Sequence, residues 1–258
     1  GMFGKWGLGH ENSSGLPTQQ ALAELFGYLD QHHAHNYYPT FLMDGDQRFK
    51  LANVPKSEGK WGQGVAKSKE EYSHDLIMDR ALNFVDKHKS KPFFLYLPIT
   101  IPHANNEAGK EGMEIPHYGI FDDKPWPEPQ KGLAAMITKM DTDVGRLMQR
   151  LEQYGIDDNT IVFFTSDNGP HREGGNNPDF QNSNGPLNGI KRALTDGGIR
   201  VPMIARWPGH IKAGSRSAHI GAFWDIMPTL AELAGVKSKV PEDTDGISIA
   251  PTLTGLNN

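Results

Sequence analysis

The segment Ile161-Val162-Phe163-Phe164-Thr165-Ser166-Asp167-Asn168-Gly169 runs from a dry apolar stretch into a carboxylate, an amide and a glycine. A carboxylate beside an amide oxygen suits a hard cation that takes oxygen ligands, such as calcium. Gly169 lets the backbone turn sharply just past the pair. Taken alone, the same residues also make an ordinary strand-to-loop turn, because Asp, Asn and Gly all favour turns.

Three further segments have the same form. Phe94-Leu95-Tyr96-Leu97-Pro98-Ile99 leads to Thr100-Ile101-Pro102-His103, where a histidine can donate to an anion or act as a general acid. A loop histidine bonded to backbone is the plainer alternative. Lys191 stands in Asn188-Gly189-Ile190-Lys191-Arg192, before Asp196-Gly197-Gly198-Ile199-Arg200-Val201-Pro202. It would be a point charge for a tetrahedral oxyanion, or a solvated surface lysine. Lys5 lies in Gly4-Lys5-Trp6-Gly7-Leu8-Gly9, near the end of an apolar entry. Together the four segments put cation-binding oxygens, two lysines and a histidine at the ends of separate strands. That set suits an anion held against a metal, as in phosphoryl or sulfuryl transfer.

The elements that must position these groups follow from hydrophobic spacing. Residues 20–29 carry Leu22, Leu25, Phe26 and Leu29 at helical spacing. Leu76, Ile77, Ala81, Phe84 and Val85 keep the helical period up to about residue 89, with Ser68 and Ser73 as candidate N-caps. Residues 128–154 form the clearest helix, with Leu133, Met136, Ile137, Met140, Val144, Leu147, Met148 and Leu151 on one face and Gly155 beyond its end. Residues 225–233 make a helix with Pro228 in the first turn. Residues 92–99 and 160–165 read as buried strands, and residues 202–207 as a third. Residues 31–68 read as a long irregular excursion with room for a short hairpin. Alternating strands and helices predict an α/β domain with a mostly parallel sheet, whose ligands sit outside the carboxyl ends of the strands.

Composition narrows the class. The chain has 258 residues, a formal net charge of -5, 37% hydrophobic residues and no cysteine. Nothing points to a nucleic-acid binder, which would carry a basic stripe. Thiolate metal sites and disulfides are excluded. No apolar run approaches the roughly 18 residues that span a membrane.

In this order the segments resemble the sulfatase family, of alkaline-phosphatase-like fold, over residues 3–253. Trp207-Pro208-Gly209 and Asp225-Ile226-Met227-Pro228-Thr229-Leu230 fit as well. The resemblance implies a three-layer α/β domain, incomplete at both ends, with residues 1–258 as a single catalytic-domain fragment. It implies calcium-dependent hydrolysis of a sulfate ester on a small molecule or sugar. By the same resemblance Asp167 and Asn168 are calcium ligands, His103 and Lys191 contact the sulfate, and Lys5 sits beside the nucleophile. Asp196 and Arg200 match motif positions as structural supports.

The departures from the family pattern carry expectations too. The family's nucleophile is a formylglycine made within Cys/Ser-x-Pro/Ala-x-Arg, and that motif does not occur in this sequence. The paired aspartates that complete the calcium site also lack counterparts. The chain is therefore expected to be N-terminally truncated, to bind calcium weakly and to be inactive alone. A histidine common two residues after the Lys5 position is Gly7 here. His171 and His35 are the candidates to replace it or to contact substrate. Two alternatives stand: a phosphodiesterase or phosphonate hydrolase of the same fold, and a non-catalytic fragment that self-associates through an unpaired sheet edge. The compartment stays open, periplasmic or secreted if the full-length protein carries a leader.

Overall fold

A computed structural model describes residues 1–255 of the protein. It divides into two compact units. One comprises Gly1–Tyr154 and Asn168–Arg200, the other Gly155–Asp167 and Val201 onward.

The first unit is built on a four-stranded sheet in the order β1 (Met2–Lys5), β2 (Leu25–Tyr28), β3 (Phe41–Asp44), β4 (Gln47–Lys50). β1 and β2 are parallel, and the remaining pairs are antiparallel. On its other side β1 takes the chain around Tyr96, in parallel. Tyr96 N–H donates to Gly1 O (2.9 Å), Phe3 N–H to Tyr96 O (3.0 Å) and Lys5 N–H to Pro98 O (2.8 Å). Residues 31–68 hold two hairpins, β3–β4 and a twisted pair β5 (Val54–Glu58) with β6 (Gly64–Ser68).

Helices α1 (Ser73–His88) and α2 (Glu128–Gln153) fall where their periodicity places them. Tyr72, not a serine, occupies the N-cap of α1. The inward stripe of α1, including Ile77, Ala81 and Phe84, packs on Phe3, Phe26, Tyr28 and Leu42 of the sheet. Leu133 and Met136 of α2 close a second cluster with Tyr37, Tyr72, Ile101 and Met113. A buried pair, His74 Nε2 to Asp143 Oδ2 at 3.0 Å, ties α1 to α2. Such a pair holds register, because removing one partner leaves a desolvated charge or dipole unmatched.

Two expectations are corrected. Residues 20–29 are not a helix: Leu25–Tyr28 is strand β2, buried at all four positions. Short apolar runs satisfy either period, and here sheet pairing on both edges decides. Gly27 lies at φ 145°, and a Cβ there would meet Gly4 O at 2.1 Å, so β1 and β2 approach closer than any side chain permits. Nor are residues 92–99 and 160–165 buried throughout. Phe93, Leu95 and Leu97 pack inward, but Phe94 and Tyr96 are exposed.

In the second unit β7 (Val162–Thr165) pairs antiparallel with β8 (Met203–Arg206), and β7 is partly exposed. Helices α4 (Ile226–Leu233) and α5 (Ala250–Thr254) complete it; the one-turn α3 (Asp196–Ile199) belongs to the first unit. Buried Asp225 organises the turn before α4, accepting from the N–H groups of Ala222 (2.8 Å) and Ile247 (2.9 Å). Among the described residues no helix is long and apolar enough to cross a membrane.

Candidate active site

The loop after Ile99 places His103, and its backbone is pinned on both sides. His103 N–H donates to Thr100 O (2.9 Å), and the hydroxyl of fully buried Tyr37 donates to His103 O (2.5 Å). The next residues are anchored by buried Asn105, whose amide donates to Gly64 O (2.9 Å) and to Glu114 Oε2 (2.7 Å). The imidazole therefore hangs from a fixed backbone. Its Nδ1 stands 2.7 Å from Ala104 O, and a carbonyl can only accept, so Nδ1 carries the proton and Nε2 a lone pair.

That lone pair faces Lys191 Nζ at 3.0 Å. Lys191 in turn donates to Glu173 Oε2 at 2.9 Å, and Glu173 Oε1 takes Arg192 Nη2 at 2.5 Å. The ammonium has three N–H groups. Two are used, and among the described residues the third has no partner. Burial first, and then the Lys191 charge, hold His103 down at about 4, so the ring is neutral at physiological pH. Burial alone would raise Glu173, but the hydrogen bonds and charges of Lys191 and Arg192 outweigh it and hold the carboxyl at about 2.

Two more histidines flank the ring. His35 stacks on His103 with centroids 5.1 Å apart and planes 9° off parallel. Its own Nδ1 pairs with Glu107 at 3.2 Å. His171 lies on the His103 ring as well, at 5.9 Å. Its Nε2 donates to Pro102 O (3.2 Å) while its Nδ1 accepts from Glu173 N–H (3.1 Å). Burial, the main cause, lowers its proton affinity, so it too stays neutral.

Glycines let these loops close. Gly169 packs its Cα against the one-turn helix, and a Cβ there would lie 1.8 Å from Gly197 O. Gly174 and Gly175 take left-handed φ of 62° and 78°, and a Cβ on Gly174 would strike Ala104 at 2.6 Å. They bring residue 173 onto the His103 loop.

The structure thus gathers His103, Lys191, His171 and His35 into one cluster. Lys5 ends β1, hydrogen-bonded through its main chain to Pro98. Its ammonium has no partner among the described residues. Asp196 and Arg200 face each other at 3.5 Å on the surface. Asp167 is an exposed carboxylate at the end of a stretch of the second unit; Asn168 opens a stretch of the first and donates from Nδ2 to Gly169 O (2.9 Å). Among the described residues no group of three or more His, Cys, Asp or Glu side chains is placed to hold a metal. Calcium takes six to eight oxygens, and one carboxylate with one amide falls short of that. Asp167 and Asn168 alone do not make a calcium cage.

Glu173 was not among the residues singled out from sequence. It sits in His171-Arg172-Glu173-Gly174-Gly175, where no periodicity marks it. A lone acid beside paired glycines, just past the Asp-Asn-Gly motif, was the available signal.

Comparison with known proteins bears on the family of the chain. Residues 1–236 match the family model described as Sulfatase. The chain is 32% identical to N-acetylgalactosamine-6-sulfatase of Rattus norvegicus, over 98% of this chain and 45% of that one. It is 30% identical to arylsulfatase A of Homo sapiens, over 99% of this chain and 48% of the relative. The crystal structure of Ps i-CgsB superposes with a TM-score of 0.75 at 28% identity, covering all of this chain and 55% of that one. The chain spans about half the length of the curated relatives it matches. The two curated relatives are sulfatases by name, and the likeness to the solved structure agrees with the α/β class, with incomplete sheets, expected from the sequence.

Proposed function

The chain belongs to the sulfatase family, and from that premise we propose that its first unit carries part of a sulfate-ester hydrolase site. The observation that carries the reading is the third N–H of Lys191. Two of its donors are engaged by His103 and Glu173, so the ammonium is fixed in place and keeps one donor for an incoming oxyanion. An electrostatic clamp needs this preorganisation, because a donor already oriented does not have to be ordered when the ligand arrives. Lys5, at the end of parallel strand β1 and with no ammonium partner among the described residues, is a second candidate for the same charge. The substrate class is an organic sulfate, and a sugar sulfate fits the name of the N-acetylgalactosamine-6-sulfatase relative.

His103 is neutral with its lone pair at Nε2, so it does not itself hold the proton that a departing alkoxide needs. That proton sits on Lys191 Nζ, 3.0 Å away. Lys191 is placed to donate it directly, while His103, with Nδ1 on Ala104 O and Nε2 on Lys191, orients the ammonium. His35 and His171 stack on the ring and hold its orientation.

The test is binding of methyl sulfate, followed by the histidine NMR signals of the chain. The His103 resonances should move on titration, and Lys191→Met should abolish the response. A wild-type chain whose histidine signals ignore methyl sulfate at millimolar concentration would sink the reading.

A further inference from the structure

The groups meeting at His103 carry a definite charge. Lys191 and Arg192 are cations, and Glu173 is a carboxylate that stays ionised far below neutral pH. Burial lowers the proton affinity of His103 and His171, and His35, stacked on His103, is paired with Glu107. Within the Lys191–Glu173–Arg192 network, two cations share one carboxylate, which leaves a single net positive charge beside the unengaged donor of Lys191. A sulfate monoester is a monoanion at neutral pH. A phosphate monoester, with a second pKa of about 6, is close to a dianion.

We propose that Glu173 is a specificity-determining residue, which trims the charge at Lys191 and Arg192 to suit a singly charged ester and disfavours a doubly charged one. The proposal rests on the sulfate-ester reading of this site. Its geometry is that of a built feature. Both carboxylate oxygens are engaged, at 2.9 Å to Lys191 and 2.5 Å to Arg192, and the side chain is only 13% exposed. The main chain is held too, with its N–H on His171 Nδ1 (3.1 Å) and its carbonyl accepting from Asn176 N–H (3.0 Å). Arg192 lies at φ 78°, a conformation rare for a residue with a Cβ, so its pairing with Glu173 is kept against local backbone preference. A carboxylate placed only as a strut would affect both kinds of ester alike.

Glu173→Gln separates the two roles, because it keeps the size and an oxygen acceptor while removing the charge. Methyl sulfate and methyl phosphate are titrated at about pH 8, where the phosphate ester is doubly charged, into wild type and variant, with the histidine signals as readout. The preference for methyl sulfate over methyl phosphate should fall roughly tenfold in Glu173→Gln, the scale of one partly screened charge at hydrogen-bonding distance. Arg192→Gln, on an exposed side chain that tolerates change, should move the preference the opposite way. A preference that neither substitution moves, or that moves in the reverse sense, overturns the proposal while leaving the sulfate site standing. Wild type that binds neither ester removes the sulfate site, and the proposal with it.

Discussion

Replacing Lys191 by Met tests the electrostatics of the site most directly. His103 is held at about 4 by burial and, second, by the Lys191 charge. At 3.0 Å the bare repulsion between ammonium and imidazolium is about 5 kcal/mol at an effective dielectric constant of about 20. Glu173 is present with or without Lys191, so only solvent screening discounts this repulsion, to on the order of 1.4 kcal/mol or more, a tenfold change in proton affinity. Lys191→Met removes that repulsion and keeps an apolar stem of similar length. It also frees Glu173 Oε2, which lies 3.6 Å from His103 Nε2, to pair with the protonated ring. Both effects favour the imidazolium. The titration midpoint should rise from about 4 to about 5 or above. The assay is a pH titration of the His103 ring signal by NMR, assigned by its loss in His103→Gln. A midpoint that stays put or falls in Lys191→Met would refute the placement of the ammonium at Nε2.

Two other outcomes follow from the same physical chemistry. His103 and fully buried His33 are both held at about 4, so between that value and 6.5 the unfolded chain binds more protons than the folded one. Stability should therefore fall as pH drops through that window, by at most about 3 kcal/mol per histidine. Glu173, depressed from 4.5 to about 2, has the usual carboxylate sign, and its contribution is lost as pH falls through that lower range. Urea midpoints that are equal at pH values near the two ends of the histidine window would contradict this. Gly169→Ala would drive a Cβ to 1.8 Å from Gly197 O, a backbone atom in a crowded loop. The expected loss is about 2–4 kcal/mol, read as a lower Tm in thermal unfolding, and an unchanged Tm would show that the loop yields freely.

Much of the frame was legible in the sequence. The apolar stripes of α1 and α2 repeat at the helical period over many residues, and both helices formed with nearly the expected bounds. The buried entry before Lys5 is β1, and residues 203–206 form β8. The short run at residues 25–28 was misread, since four apolar residues fit a helix face or a strand equally well and only pairing with β1 and β3 decides between them. The faces of the chain around Tyr96 were likewise undetermined. Alternate residues there point to the core or outward, and a sequence of apolar residues on both faces hides which is which.

The site divides in the same way. By itself the sequence determined the chemical types and their order: His103 after one apolar run, Lys191 before a glycine pair, Asp167 and Asn168 at a strand end. Local propensity and motif order suffice for that, because both are written in neighbouring residues. Only the tertiary structure decided that His35, His103 and His171 stack, that Lys191 points at His103 Nε2, and that Glu173 stands between two cations. Residues 103, 173 and 191 lie far apart along the chain, and their distances are fixed by Tyr37, Asn105 and close-packed glycines. The protonation of His103 is likewise a property of the fold, since burial and a facing ammonium set it and neither exists in the extended chain.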